Sequence, residues 1–332
     1  MTERVRLGDG LRIELATGEM VVADATQPDG DVNVLSHAHG DHLYREAPPE
    51  LICSETTAAL ARTRRDEAEN GELNRTTHPA VELVNAGHVA GSRAGLVEDE
   101  ATGRTYCYTG DISTRDRCYL SGFEPPDADV LIVETTYGTP AFVFPPQDAL
   151  EREIVDWLDD TTDRPVLLFG YSLGRAQKLQ RLVARSQRSR LFVSDAIARI
   201  NAPIEAAFDV EFGAERSSPD VDLEAGDVLV LPSQINNLAF VDRIVAETGA
   251  TKAGFSGWAV ESSFRYRGDY DVTFPLSDHC DFTELERVVE AVDPEIVYTH
   301  HGSAEAFATH CTAELGYEAQ ALKRDQATLG EF

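Results

Sequence analysis

The chain has 332 residues, 42% of them hydrophobic, and carries 58 acidic against 29 basic side chains for a formal net charge of -29. That length accommodates about two domains, or one domain with a large insertion. The longest apolar runs, PVLLF and DVLIV, are far too short to cross a bilayer, and five cysteines without a C-x-x-C pair argue against a disulfide framework or a thiolate metal site.

The opening residues MTERVRLGDG are charged and contain no apolar stretch of the signal-peptide kind, so a soluble cytoplasmic protein with no membrane partner is expected. Lys178, Lys252 and Lys323 are the only lysines. An acidic, lysine-poor surface stays hydrated in concentrated salt, and the composition reads as halophilic. The same charge opposes a nucleic-acid partner. At about 1 M salt, however, the screening length shrinks to roughly 3 Å, and local contacts then decide binding.

In chain order, the first 139 residues read as short strands ending in polar loops. LRIELATGEMVVADA predicts a hairpin turning at Thr17-Gly18, and VNVLS, ELVNAGH, GLVEDEATGRTYCYTGD and DVLIVETTYG follow. The texture then changes. In QDALEREIVDWLDD, Leu150, Ile154 and Leu158 fall at helical spacing. PVLLFGYSLGRAQKLQRLVARSQ reads as a buried strand, a glycine turn and a helix, the alternation of a parallel sheet. Strand-loop texture returns after about residue 270 with VTFPLSDHCD and EIVYTHHGS, so an insertion of roughly 130 residues is expected within a strand-rich unit.

The densest chemistry is His37-Ala38-His39-Gly40-Asp41-His42, directly after VNVLS. Imidazole nitrogens and carboxylate oxygens suit zinc and metals of similar softness, and zinc takes four such donors. A cluster of buried histidines is unfavourable unless each finds a partner, which a metal supplies. Further donors stand at the ends of later strands: His88 after VELVNAG, Asp111 after TYCYTG, and His301 after EIVYTH. Strand ends that converge on one sheet edge are where a site is built.

With these residues the chain resembles the metallo-β-lactamase superfamily in its β-CASP nuclease branch. The resemblance rests on Asp24 at a strand end, H-A-H-G-D-H at 37–42, G-H-V-A-G-S at 87–92 and T-G-D at 109–111. It continues with V-E-T-T-Y-G at 133–138, S-L-G-R-A-Q at 172–177, S-D-H-C-D at 277–281 and H-H-G at 300–302. It implies an α/β chain: a metallo-β-lactamase αββα sandwich from 1–139 and 271–332, with an inserted α/β β-CASP cap domain at 140–270. It also implies two zinc ions per chain, with manganese or iron as alternatives. His37, His39 and His88 are the implied ligands of one ion and Asp41, His42 and His301 of the other, with Asp111 bridging them. Asp24 is expected to orient a ligand histidine through a hydrogen bond. His279 resembles the family's general acid and Glu134 the carboxylate that orients it. His300 is the nearest rival to His301, and Gly302 fixes the register in favour of His301. Asp278 departs from the pattern, since many RNA-processing members have Ala before this histidine.

Pro165–Ser194 contains no Asp or Glu, an unusual stretch in so acidic a chain. Arg175, Lys178, Arg181, Arg185 and Arg188 fall at helical spacing, which predicts either a basic stripe tracking a phosphate backbone or a solvated face paired with acids. Ser172 and Arg175, at the turn before this helix, are candidate substrate contacts. G-Y-S-L-G at 170–174 also matches a serine-hydrolase elbow, but that reading leaves the histidine cluster unexplained.

The resemblance implies a nuclease acting on single-stranded RNA or DNA. A small-molecule hydrolase and a non-catalytic binding subunit are the competing classes. The histidine at 301 leans towards RNA processing of the mRNA 3'-end factor type. E-T-T-Y-G-T-P, F-S-G-W and the compact length resemble exonucleases associated with DNA ligase genes.

Overall fold

The computed structural model describes residues 4–65, 70–218 and 221–323. The chain folds as two compact units, one drawn from Met1–Thr114, Gly122–Pro140 and Phe282–Phe332, the other from Arg115–Ser121 and Ala141–Asp281.

The first unit contains two sheets. Strands β1 (Val5–Gly8), β2 (Gly10–Glu14), β3 (Met20–Ala23) and β4 (Val32–Val34) form the smaller one in sequence order. The hairpin between β2 and β3 turns at Gly18, whose φ of 90° is open to glycine because it has no Cβ. The larger sheet comprises β5 (Val81–Asn85), β6 (Arg93–Asp99), β7 (Arg104–Tyr108), β8 (Val130–Glu134), β15 (Ile296–His300) and β16 (Glu318–Ala321), in the order β16-β15-β8-β7-β6-β5. Alternating side chains from both sheets meet in one core: Val5, Leu11, Ile13, Val21 and Val34 from one, Val97, Tyr106, Tyr108, Ile132 and Tyr298 from the other. Period-2 alternation thus buries one face of each sheet against its neighbour. The helix Ala304–His310 packs on β15 and β16.

The second unit is built on a parallel six-stranded sheet ordered β11 (Glu215–Arg216), β10 (Leu191–Val193), β12 (Val228–Pro232), β9 (Val166–Gly170), β13 (Thr251–Phe255) and β14 (Val272–Phe274). Its central strands read as continuous apolar runs because both faces are covered. Val166 and Leu168 of β9 enter one core with Leu150, Ile154 and Leu158 of the helix Gln147–Asp160. Leu167 and Phe169 point into the other, with Val241 and Ile244 of the helix Ala239–Thr248.

Of the two readings of the basic spacing, the contacts of the described residues favour pairing with acids over a continuous stripe. The helix after β9 runs only from Arg175 to Val183, so Arg185 and Arg188 lie beyond it. Arg175 and Lys178 are buried at 2% and 1% exposure. Arg181 donates to the Glu211 carbonyl, and Arg185 pairs with Glu151. Arg188 donates to the carbonyls of Leu158, Thr161 and Arg164, and Arg190 pairs with Asp227. Helical spacing gives a direction for each side chain but not the partner that waits there. The acid-free stretch draws its counter-charges from elsewhere in the same unit.

Candidate metal centre

Most of the expected donors lie in the first unit, at the ends of its strands. β4 runs through Leu35 and Ser36 into the 37–42 loop, and β5, β7 and β15 lead into His88, Asp111 and His301. Two glycines permit these turns. Gly87 has φ 67° and a Cβ there would sit 2.2 Å from the Ser113 carbonyl oxygen; Gly110 has φ 54° and a Cβ would sit 2.7 Å from Ser36 Cβ. A side chain at either position would push His88 or Asp111 out of place.

One donor from each of His37, His39, His88 and Asp111 gathers within 4.8 Å of the others. His37 Nε2 and His88 Nε2 lie 3.1 and 3.2 Å from His39 Nδ1. Asp111 Oδ2 lies 3.5 Å from His37 Nε2, 3.6 Å from His88 Nε2 and 3.7 Å from His42 Nε2. Bonds of about 2.0–2.1 Å to one tetrahedral ion place donors roughly 3.4 Å apart. The four-residue group therefore fits a zinc-like cation by the spacing and by the chemistry of its donors. Asp111 also reaches towards His42, as a bridging carboxylate must.

The outer nitrogens are tied down by a shared carboxylate. Asp24, at φ 53°, accepts from His42 Nδ1 at 2.9 Å, from the Tyr108 hydroxyl at 2.8 Å, and from the Ser36 amide and hydroxyl at 2.8 and 2.5 Å. Ser36 Oγ in turn lies 2.9 Å from His37 Nδ1. With their Nδ1 atoms engaged, His37 and His42 present Nε2 to the cluster. Burial opposes ionisation of Asp24, but the His42 charge and the His42 and Ser36 hydrogen bonds outweigh it and hold the carboxyl below the usual range. Burial likewise opposes protonation of His42, yet the carboxylates of Asp111, Asp24 and Asp41 push it up to about 10. Ser36 and Tyr108 had not been singled out from the sequence. Their signal was position, one directly before the first histidine and the other at the end of the strand leading to Asp111.

The donors expected for a second ion are more open. Asp41 Oδ2 lies 4.0 Å from His42 Nε2, with its side chain 67% exposed. His301 is exposed, at φ 61°. Burial opposes ionisation of Asp41, but the charge of His42, the Asp41 amide and the charges of His39 and His301 outweigh it and hold the carboxyl down. His300 differs sharply. It lies opposite Glu134 in the β8–β15 register, is buried against the Tyr108 ring, and is pushed down to about 4 by burial and by the neighbouring His301. Glu134 is buried and accepts from the Thr136 amide at 2.8 Å. The Thr135 hydroxyl and amide hold the carbonyls of His301 and His300 at 2.5 and 3.0 Å, which fixes the H-H-G turn to the end of β8.

His279 lies in the second unit, half-buried, in a loop held at both sides. On one side, buried Asp278 pairs with Arg175 at 2.9 Å, with Lys178, and with Arg117 at 3.6 Å, while Lys178 Nζ and Arg117 donate to the Ser277 carbonyl at 2.7 and 3.1 Å. On the other side, Asp281 accepts from Arg115 and from the Phe144 amide at 2.8 and 2.9 Å. Ser277 Oγ accepts the His279 amide at 3.0 Å. Arg175 is thus paired within its own unit. Burial and the Arg117 charge push Lys178 down to about 7 against the pull of Asp278. Ser172 is half-buried in the turn before the helix, and its hydroxyl makes no hydrogen bond to a histidine among the described residues, against the serine-hydrolase elbow.

No protein-family model matches the chain. It is 36% identical over 306 residues to a probable DNA ligase of Opitutus terrae, an alignment covering 89% of this chain and 29% of that one. It is 29% identical over 203 residues to an RNase J-like protein of Methanocaldococcus jannaschii, covering 52% and 47%. The chain therefore spans less than half the length of either relative. The crystal structure of a protein of unknown function from Enterococcus faecalis superposes with a TM-score of 0.59 over 90% of this chain and 81% of that one, at 15% identity, a likeness of fold.

Proposed function

Because the chain belongs to the β-CASP nuclease branch of the metallo-β-lactamase superfamily, we propose that it hydrolyses phosphodiester bonds in nucleic acid with two divalent metal ions. The observation that carries this reading is the convergence of His37, His39, His88 and Asp111 at tetrahedral spacing. These four would hold one ion, and Asp111, Asp41, His42 and His301 would hold the other. Divalent cations supply Lewis acidity: they make water acidic enough to ionise near neutral pH and neutralise charge growing on the phosphate oxygens.

The chain's own groups do the rest. Asp24, through His42 and Ser36, keeps imidazole nitrogens aimed at the centre. His279 gives a proton to the leaving oxygen, a contribution of about 10²–10⁴ in rate, and Glu134 carries the orienting carboxylate. The two units correspond, in this reading, to an αββα sandwich and an inserted cap, with Ser172 in the cap as a candidate substrate contact. No described helix is long and apolar enough to cross a membrane.

A DNA substrate is the second reading, favoured by the match to a probable DNA ligase along 89% of the chain. RNA is favoured by the RNase J-like relative. End-labelled single-stranded RNA and DNA, with free or blocked ends, incubated at high salt with zinc or manganese, separate the two and distinguish exo- from endonucleolytic cutting. Cleavage of at least one, abolished by chelation and reduced by roughly 10²-fold or more in His279→Ala at unchanged metal content, is expected. Cleavage of neither polymer overturns the proposal.

A further inference from the structure

We propose that the second unit carries a base-stacking site for single-stranded nucleic acid, formed by the exposed rings of Tyr171 and Trp258. The inference rests on the nucleic-acid reading above and names how such a substrate is held.

Among the described residues, the exposed large hydrophobic side chains are Val143, Tyr171, Leu238, Trp258, Val260 and Tyr266, all within the second unit. Tyr171 is 45% and Trp258 38% exposed. Both line one cavity of about 500 Å³, together with Phe255, Phe264, Arg267 and Tyr270. That volume lies within the range of small-molecule sites, and five of its eleven lining residues are aromatic. Both rings are part-exposed at this cavity, and every nucleobase offers a flat face that can stack on an aromatic ring.

Both rings rest on fixed supports. Tyr171 follows the last residue of β9, and the Arg175 guanidinium lies over its ring at 5.3 Å. That guanidinium is held by Asp278 and by the Phe255 carbonyl, at 2.9 and 3.2 Å. Trp258 sits in the short turn Gly257–Val260, its amide donated to Ser256 Oγ and its ring set edge-on to Phe142 at 4.9 Å. Supports of this kind lower the entropy lost when a base stacks. Arg175 also ties the platform to the loop of His279, since its partner Asp278 is the residue directly before that histidine.

Charge points to the base rather than the phosphate as the group recognised. The cavity carries Glu261 against Arg267, and Arg175 is already paired. A chain of net charge -29 gains no long-range attraction for a polyanion. Phosphate contacts weaken steeply as salt rises, whereas stacking does not depend on counterion release. A stacking site is therefore the device by which so acidic a protein holds a nucleic-acid strand in concentrated salt.

Trp157 and Trp258 are the only tryptophans, and Trp157 packs against Phe274, so in a Trp157→Phe background the emission reports Trp258. The metal-loaded protein, with cleavage slowed by His279→Ala, is titrated on a timescale short against the residual cleavage with short unlabelled oligothymidylate and oligouridylate at about 0.5 and about 2 M potassium chloride. Saturable quenching by at least one oligomer, with a dissociation constant changing less than about threefold between the two salts, is expected; inorganic phosphate should not quench. Binding of the labelled oligomer should weaken about tenfold in Tyr171→Ala and in Trp258→Ala, and remain close to the parent in Trp258→Phe, which keeps a ring. Binding without quenching, and with both alanine variants at parent affinity, overturns the platform; if the unaltered enzyme still cleaves oligonucleotides, the nuclease reading survives that result. Absence of both cleavage and binding overturns the nucleic-acid reading itself. A change of oligomeric state in Trp258→Ala at unaltered oligomer affinity assigns the rings to a protein contact instead, and also overturns the platform.

Discussion

Asp24 touches no expected reacting atom, yet it accepts hydrogen bonds from His42, Tyr108 and Ser36 and so governs how two candidate ligand histidines are aimed. Asp24→Ala is expected to weaken metal binding by about 10- to 100-fold, read by competition with a chromogenic chelator, while the folded chain persists. Lys178 supplies a second test. Its folded-state pKa of about 7 lies below the ordinary 10.5, so between those values the unfolded chain binds the extra proton. Stability relative to Lys178→Met should then rise with pH across that window, by up to about 1.4 kcal/mol per unit, and level off below pH 7. Parallel urea titrations of the two proteins at several pH values measure the slope, and its absence places the charge elsewhere. The candidate ligands were legible in the sequence because strand ends announce themselves: a short apolar run breaks into His, Asp and Gly. Tyr108 and Ser36 were not, because their positions beside the donors say nothing of their shared partner Asp24, 84 and 12 positions away.

The loop Ser277–Asp281 is an element without regular hydrogen bonding of its own, and its shape comes from buried charge. Removing Asp278 leaves Arg117, Arg175 and Lys178 enclosed without their shared anion. Asp278→Ala is expected to lower stability by about 3–5 kcal/mol by urea unfolding, and to lower turnover through a displaced His279 while the metal content of the folded protein stays unchanged. Retained turnover would show that the clamp is not what positions this histidine. At this scale the sequence was read well where periodicity decides. Leu150, Ile154 and Leu158 were placed on one buried helix face, and the alternation around PVLLF predicted the parallel sheet. It left two readings open where partners decide. The five basic residues spaced for a helix fitted a surface track or a face paired with acids; the helix stops at Val183, and Asp278, about a hundred positions on, pairs with its first two cations. A carboxylate so distant in sequence enters no local window.

Over the whole molecule the governing quantity is the charge of -29. Self-repulsion of this size favours expanded chains in dilute buffer, and salt screens it. The melting temperature is expected to climb steeply as potassium chloride is raised from about 0.1 to 1 M and more slowly above, when measured by calorimetry or circular dichroism. A flat dependence would remove the case for a halophilic surface. The second unit extends to Asp281, past the expected boundary at 270, because the His279 loop is anchored by Arg115, Arg117, Arg175 and Lys178 of that unit. Strand texture marked where the chain changes character, but ion pairing decided which body owns the loop.

The register of the larger sheet has a consequence for biosynthesis. β15 lies between β8 and β16, so until the ribosome has made residues 296–300 the nascent β8 presents an open edge. Some 160 intervening residues must emerge first, and during that interval the growing polypeptide shows unpaired amides and carbonyls to anything that pairs with strands. His301 arrives on the same late strand. Closing the edge and delivering this candidate donor are therefore one event.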